Sequence, residues 1–95
     1  MIQVRDVFQA KYGRGDALVA LMKEGRGLLP NYRPRIFTDA SGPFFTVVTE
    51  SEWPSLGDWE RASQQIFADP RFAGWFEKMV PLVDGGRREF YNIEA

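Results

Sequence analysis

The sequence predicts a single α+β domain whose strands and helices follow the order β-α-β-β-α-β. Two kinds of pattern lead to this prediction. Apolar or alternating runs typical of strands occupy residues 2–10, 33–39, 44–50 and 87–93. Between them, apolar residues at three- and four-residue spacing indicate helices. The length of 95 residues suits one domain, so we expect residues 1–95 to fold as one unit.

The N-terminal quarter of the chain predicts the first strand and the first helix. Alternation over 2–10 places four apolar residues on one face of the strand, namely Ile2, Val4, Phe8 and Ala10. Asp6 interrupts this apolar face. A helix over 16–26 then presents an apolar stripe, with Asp16 in its first turn and Gly25 near its end.

After a connection over 28–31, the sequence predicts a β-hairpin. Its first strand, from Arg33 to Asp39, contains Pro34. Because proline has no N–H for a sheet hydrogen bond, we expect this strand at an edge of the sheet. The segment Ala40-Ser41-Gly42-Pro43 is typical of a turn. The next strand, from Phe44 to Glu50, is nearly continuously apolar, which indicates a central strand covered on both faces.

The third quarter predicts a helix in two parts. Ser55 with Asp58 resembles a capping box, and Asp69-Pro70 is typical of a second helix start. The first part is expected to bury a stripe of six residues, which are Leu56, Trp59, Ala62, Ser63, Ile66 and Phe67. The second part has its own stripe of Phe72, Trp75, Phe76, Met79 and Val80. We interpret this stripe as core or subunit interface rather than as a ligand groove.

The end of the chain completes the predicted sheet. Asp84-Gly85-Gly86 is typical of a turn, and a last strand follows over 87–93. Right-handed crossovers on one antiparallel sheet then give the strand order 4-1-3-2. This is a ferredoxin-like βαββαβ sandwich, in which both helices cover one face of the sheet and the other face is left open.

The open face predicts a homodimer. The third strand divides its side chains as Phe44, Thr46 and Val48 on one face and Phe45, Val47 and Thr49 on the other. Neither face is polar enough to meet water over the whole sheet. A second copy is the commonest cover, so we expect two copies to pack through their open sheet faces. The alternative is a monomer in which residues 69–94 fold over that face.

Composition excludes several classes of function. Twelve basic and 13 acidic residues nearly cancel, so no basic field for nucleic acid is expected. The chain has no Cys and no His, which excludes disulfides, thiol nucleophiles, imidazole bases and the usual zinc or haem ligands. No apolar stretch approaches the roughly 18 residues of a membrane span, and charges interrupt the apolar N-terminal run. We expect a cytoplasmic protein without a cofactor, metal, nucleic-acid or membrane partner.

Five residues are candidates for binding a ligand. Asp6 is the first, because a carboxylate on the apolar face of a central strand is costly unless paired or hydrated. It is either a base or ligand anchor partnered by Arg35 or Arg5, or one half of a structural ion pair. Tyr91, Asn92 and Trp53 could line a pocket at the end of the sheet and hydrogen-bond a phenol or carbonyl. For these three residues the alternative is simple packing or solvent exposure.

A family resemblance extends over nearly the whole chain. It is carried by the N-terminal segment MIQVRDVFQAKYGRGDALVALM, by the hairpin turn over 38–44 and by the C-terminal segment Gly86-Arg87-Arg88-Glu89-Phe90-Tyr91. In these features the chain resembles NIPSNAP-like domains and, more broadly, the dimeric α/β-barrel superfamily, which includes antibiotic-biosynthesis-monooxygenase-like domains. The resemblance implies two ferredoxin-like subunits packed sheet to sheet. It transfers no catalytic residue to a position of this chain, and the missing histidine argues against haem.

Two functions follow, and the choice between enzyme and binding protein stays open. The first is an uncharacterised NIPSNAP-like homodimeric barrel that binds a small apolar or aromatic ligand. The second is a cofactor-independent monooxygenase-type enzyme acting on a small aromatic substrate, in which the pocket supplies positioning and a few hydrogen bonds. The absence of His, Cys and cofactor motifs favours the first.

Overall fold

The computed structural model describes residues 1–28 and 32–95 as a four-stranded antiparallel sheet with its helices on one face. In chain order the elements are β1 (Ile2–Ala10), α1 (Gly15–Gly25), β2 (Arg35–Thr38), β3 (Thr46–Trp53), α2 (Leu56–Ala68), α3 (Pro70–Met79), a 3₁₀ turn (Val80–Leu82) and β4 (Val83–Asn92). The strand order β2-β3-β1-β4 confirms the predicted ferredoxin-like arrangement, with β2 at an edge. β2 is shorter than predicted, and Pro34 precedes it rather than lying within it. Most of the predicted connection over 28–31 lies outside the described residues.

The buried core lies between α1 and the middle of the sheet. Leu18 and Val47 have no exposed surface, and Ala10 and Met22 complete the buried cluster. Five residues of α1 are buried, which are Gly15, Leu18, Leu21, Met22 and Gly25. Helices α2 and α3 have no buried residue. The apolar area that leaves water is therefore concentrated under α1.

The third strand begins two residues later than predicted, at Thr46. Phe45 has a φ of 60°, a left-handed conformation that is unfavourable for an aromatic residue. Its carbonyl accepts a hydrogen bond from the Ala10 N–H at 2.9 Å, and its ring packs beside Gly15, where a Cβ would lie 3.1 Å from the ring. This packing holds Phe45 out of the strand and leaves Phe44 70% exposed. The predicted division of strand faces therefore holds only from Thr46 onward.

The last strand begins at Val83, so the predicted turn at Asp84-Gly85-Gly86 is wrong. Gly86 lies opposite Phe8 in the β1–β4 pairing. A Cβ on Gly86 would lie 2.7 Å from the carbonyl oxygen of Val7, closer than such atoms approach. The glycine thus allows two strands to approach each other closely. In the sequence alone, a glycine with this role cannot be distinguished from a turn glycine.

The predicted helix starts at Ser55 and Asp69 are confirmed. The hydroxyl of Ser55 accepts a hydrogen bond from the Asp58 N–H at 3.1 Å, and the carboxylate of Asp69 accepts one from the Arg71 N–H at 2.9 Å. The predicted buried stripe of α2 is wrong, because Leu56 and Phe67 are 52% and 59% exposed and the other members are only half-buried.

The two faces of the sheet differ in polarity. The face away from the helices has ion pairs between Arg5 and Glu50 and between Arg87 and Glu89, each at 3.0 Å. It is thus more polar than we expected, although Val48 and Phe37 also lie on it by strand alternation. Among residues 1–28 and 32–95, no helix is long and apolar enough to cross a membrane.

Candidate ligand-binding cavity

A cavity of about 260 Å³ lies between the sheet and the helices. The sheet contributes the side chains of Phe8, Thr49 and Trp53, and α1 contributes Met22 and Gly25. Helices α2 and α3 supply the remaining apolar wall, which includes Trp59, Ala62, Ile66, Phe72, Trp75 and Met79. The cavity explains why α2 and α3 bury no residue, since their apolar faces border open space instead of close-packed neighbours.

Helix α3 is attached to α1 on one side of this cavity. The indole Nε1–H of Trp75 donates to the carbonyl of Leu21 at 2.8 Å. Gly25 makes room for the indole, because a Cβ there would lie 3.0 Å from Nε1. Trp75 and Met79 pack against the buried core. The α3 stripe is therefore core at one end, as predicted, and cavity wall at the other.

An ion pair on the sheet forms the polar part of the cavity. Asp6 and Arg88 lie opposite each other on β1 and β4, and the Arg88 Nε–H donates to an Asp6 carboxylate oxygen at 2.6 Å. The second contact, from Nη2, is 3.4 Å. The Arg88 guanidinium also lies 4.9 Å from the ring centre of Trp59, a cation–π contact. The partner of Asp6 is therefore Arg88, not Arg35 or Arg5 as we predicted.

Tyr32 adds a hydroxyl to this polar group. Burial raises the pKa of Tyr32 to about 12. The negative charge of Asp6 adds a smaller increase in this pKa, and the positive charge of Arg88 lowers it by less. The phenol is therefore protonated at neutral pH and can donate a hydrogen bond. Its ring stacks on Trp53, with ring centres 6.2 Å apart. Within the described chain, the Tyr32 hydroxyl makes no hydrogen bond to a protein group.

The cavity brings together two of the five predicted ligand-binding residues, Asp6 and Trp53. The Trp53 indole Nε1–H donates to the Ser51 hydroxyl at 2.8 Å, which fixes the ring against the cavity. Asn92 lies opposite Ile2 at the end of β4 and does not line the cavity.

The other two predicted residues, Arg35 and Tyr91, lie on the open face of the sheet. Arg35 lies over the Phe37 ring at 5.0 Å and borders a groove of about 300 Å³. A hydrogen bond to Glu89 raises the pKa of Tyr91, and both residues lie on the open face by strand alternation. Strand alternation separates both residues from Asp6.

Sequence reasoning missed Arg88, Trp59 and Thr49 as cavity residues. Arg88 lies within the predicted last strand, but the sequence does not give the register that places it opposite Asp6. In the observed register, Asp6 and Arg88 lie directly opposite each other on adjacent strands, which is the position expected for a cross-strand ion pair. No sequence signal identifies Tyr32, which lies outside the helices and strands.

The residues of the cavity define what it can bind. Asp6 and Arg88 cancel in charge, Tyr32 is neutral, and the walls are aromatic or aliphatic. The arrangement favours a flat, mostly apolar molecule with one polar group. In residues 1–28 and 32–95, no group of three or more His, Cys, Asp or Glu side chains could hold a metal ion.

Comparisons with known proteins identify the fold. No protein-family model matches the chain, and no curated protein matches it. Among solved structures, an uncharacterized NIPSNAP domain protein from Burkholderia xenovorans is similar, with a TM-score of 0.89 and 20% identity over 100% of this chain and 96% of that one. A NIPSNAP family protein of unknown function from Agrobacterium tumefaciens has a TM-score of 0.84 and 18% identity, over 96% and 86% of the two chains.

A third structure connects the fold to the other resemblance noted in the sequence. A putative antibiotic biosynthesis monooxygenase from Chloroflexus aurantiacus has a TM-score of 0.78 and 17% identity, over 99% of this chain and 93% of that one. The predicted resemblance to NIPSNAP-like and antibiotic-biosynthesis-monooxygenase-like domains is thus confirmed at the level of the fold. At such low identity, the likeness carries no activity over to this chain.

Proposed function

We propose that this protein binds a small, flat, largely apolar molecule in the cavity between the sheet and the helices. The observation that carries the proposal is an aromatic-walled cavity of about 260 Å³ whose polar groups are Asp6, Arg88 and Tyr32. A cavity of ~150 Å³ is large enough for benzene, so this one accommodates one or two rings. A phenol or carbonyl on the ring meets the Tyr32 hydroxyl or the Asp6–Arg88 pair.

Titration with 4-ethylphenol tests the proposal. All three tryptophans line the cavity, so their indole N–H signals in ¹H–¹⁵N NMR spectra report on a bound ring. We expect these signals to shift on titration, and Tyr32→Phe to weaken binding about two- to tenfold through loss of one hydrogen bond. Toluene, which has no hydroxyl, should bind both proteins equally.

A filled cavity provides the matched control. Ala62 lines the cavity, so Ala62→Phe should abolish the shifts, whereas Ala73→Phe on the exposed side of α3 should leave them unchanged. If 4-ethylphenol at millimolar concentration moves none of the indole signals of the wild-type protein, the proposal is wrong.

The alternative is a cofactor-independent monooxygenase-type enzyme acting on a small aromatic substrate. The cavity suits it in one respect, because the carboxylate of Asp6 lies among aromatic walls, and a solved structure of the same fold is described as a putative antibiotic biosynthesis monooxygenase. Such an enzyme would convert a ring CH₂ group and O₂ into a carbonyl group and water, with Asp6 as the candidate proton acceptor. An oxygen electrode tests this function, and compounds that fill the cavity without protein-dependent O₂ uptake would contradict it.

We also propose that the protein is a cytoplasmic homodimer that pairs through the open sheet face, where Val48 and Phe37 would become covered. Light scattering at micromolar concentration should give about twice the chain mass of 10.9 kDa. Val48→Asp should reduce it to the monomer mass, whereas Gln64→Asp on α2 should not. A wild-type mass near 10.9 kDa would refute the dimer.

A further inference from the structure

The aromatic wall of the cavity continues onto the surface of the molecule. Phe67 and Phe76 line the cavity, yet they are 59% and 43% exposed. Phe72 joins them, with ring centres 5.1 Å from Phe67 and 5.7 Å from Phe76. We call these three residues the aromatic rim. Phe72 also stacks on Trp75 at 6.0 Å, so a continuous aromatic path runs from the core-facing Trp75 to the surface.

The charged side chains beside the rim are paired with each other. Arg71 bonds to Asp69 at 2.7 Å and to the carbonyl of Leu28 at 3.1 Å. Lys78 lies 3.3 Å from Glu24. These pairs neutralise the charges of Arg71 and Lys78, the two basic residues of α3. Exposed aromatic residues in contact with one another, next to a cavity, mark a binding surface more often than isolated exposed residues do.

The size of the cavity indicates that a ligand can also contact the aromatic rim. At about 260 Å³ it is below the roughly 300–1,000 Å³ usual for small-molecule sites, so a larger ligand would extend beyond it. The Asp6–Arg88 ion pair lies on the sheet, where the Asp6 side chain is only 17% exposed. The rim lies on α2 and α3, at the opposite wall. A molecule that uses both regions has a polar group at one end and an apolar extension at the other.

We infer that the ligand is an amphiphile, a ring with a polar substituent in the cavity and an aliphatic chain that leaves it over Phe67, Phe72 and Phe76. This inference rests on the proposed function and specifies its ligand class. A flexible chain follows the tilted rings of the rim more readily than further fused rings do. Each methylene that leaves water against the rim strengthens binding.

A series of 4-alkylphenols tests the inference, from 4-ethylphenol through 4-butylphenol and 4-hexylphenol to 4-octylphenol. We expect the Kd, measured by tryptophan fluorescence below the concentration at which these compounds form micelles, to fall about twofold to fourfold for each added methylene. The double variant Phe67→Ser/Phe76→Ser removes two rings that also line the cavity, so the readout is the dependence on chain length, which it should lose whatever its affinity for 4-ethylphenol. Leu56→Ser and Phe44→Ser, which alter exposed apolar residues outside the cavity, should keep it.

The outcomes separate this inference from the proposed function. If 4-ethylphenol binds but longer chains bind no better, the chain does not use the rim and only the inference fails. If the dependence on chain length persists in the double variant, the chain leaves elsewhere and the inference is again wrong. If no phenol binds the wild-type protein, the proposed function fails with it. If the double variant changes the molar mass in solution, the rim is an interface between copies, which also overturns the inference.

Discussion

Helix α1 and the α2–α3 pair cover the same face of one sheet, but they do so in different ways. Helix α1 has five buried residues, and its Leu18 is completely enclosed. Helices α2 and α3 contain more aromatic residues than α1 and yet bury none of them fully. Under α1 the side chains pack against Val47 and Ala10, whereas under α2 and α3 they surround a cavity. The comparison shows that one helix packs closely on the sheet while the other two border the cavity to which we assign ligand binding.

The largest effect is expected from a charge placed under α1. Val47 is completely buried beside Leu18 and Met22, so Val47→Asp should cost more than about 4 kcal/mol and prevent folding. Far-UV circular dichroism and thermal unfolding would measure this. Val47 points toward the helices and not toward the open face, so this variant tests the core and not the predicted dimer. A cooperative melt at the wild-type temperature would mean that α1 does not cover the core.

A pair of alanine substitutions compares the two helical regions directly. Leu18→Ala should lower the free energy of unfolding by about 2–5 kcal/mol, because it leaves a cavity in close-packed surroundings. Ile66→Ala on α2 should lower it by about 1 kcal/mol or less, because Ile66 is half-buried and already borders open space. Urea unfolding measures both. Equal losses would contradict the distinction between a packed helix and a cavity wall.

The smallest of the three effects concerns the pH dependence of Tyr32. Folding raises its pKa from 10.0 to about 12, so the protonated phenol stabilises the folded state fully below pH 10. That contribution is lost as the pH rises through 12, because the folded state then has to ionise a buried phenol. Between pH 10 and 12 the unfolding free energy of the wild type should fall by up to about 2–3 kcal/mol more than that of Tyr32→Phe.

The phenolate absorbance of Tyr32 provides the direct measurement. The difference in ultraviolet titration between the wild type and Tyr32→Phe should have its midpoint near pH 12, provided that the protein is still folded. Tyr12, which is 83% exposed, is the internal comparison for an accessible tyrosine. A midpoint near 10 for Tyr32 would show that water enters the cavity freely and that α2 and α3 cover it poorly.

Local rules of the chain predicted most of the fold. The helix starts at Ser55 and Asp69 depend on neighbours a few residues away, and the structure has the expected caps there. Pro34 correctly indicated an edge strand, although β2 begins one residue after it, at Arg35. The rules failed at Phe45 and Gly86, where contacts with residues distant in the sequence decide the conformation. Phe45 takes a left-handed φ because its ring packs beside Gly15, and Gly86 lies within a strand because β1 passes close to it.

The candidate site was predictable only in part. Asp6 was conspicuous because a carboxylate interrupts an apolar strand face, and this signal needs no tertiary information. Its partner Arg88 could not be chosen from several arginines without the β1–β4 register. The stripe containing Phe72 and Trp75 has the same spacing whether it faces a packed core or a cavity, because periodicity reports which face is apolar and not what that face meets.

The sequence by itself determined the order of elements, the edge position of β2, and the lack of histidine and cysteine that restricts any chemistry to other side chains. Only the tertiary structure decided that Asp6 meets Arg88 and Tyr32, and that α2 and α3 surround a cavity while α1 packs tightly. The physical reason is the range of the interactions. Caps, turns and strand alternation arise from neighbours in the chain, whereas a cavity depends on how side chains from six separate elements fill, or fail to fill, the space between them.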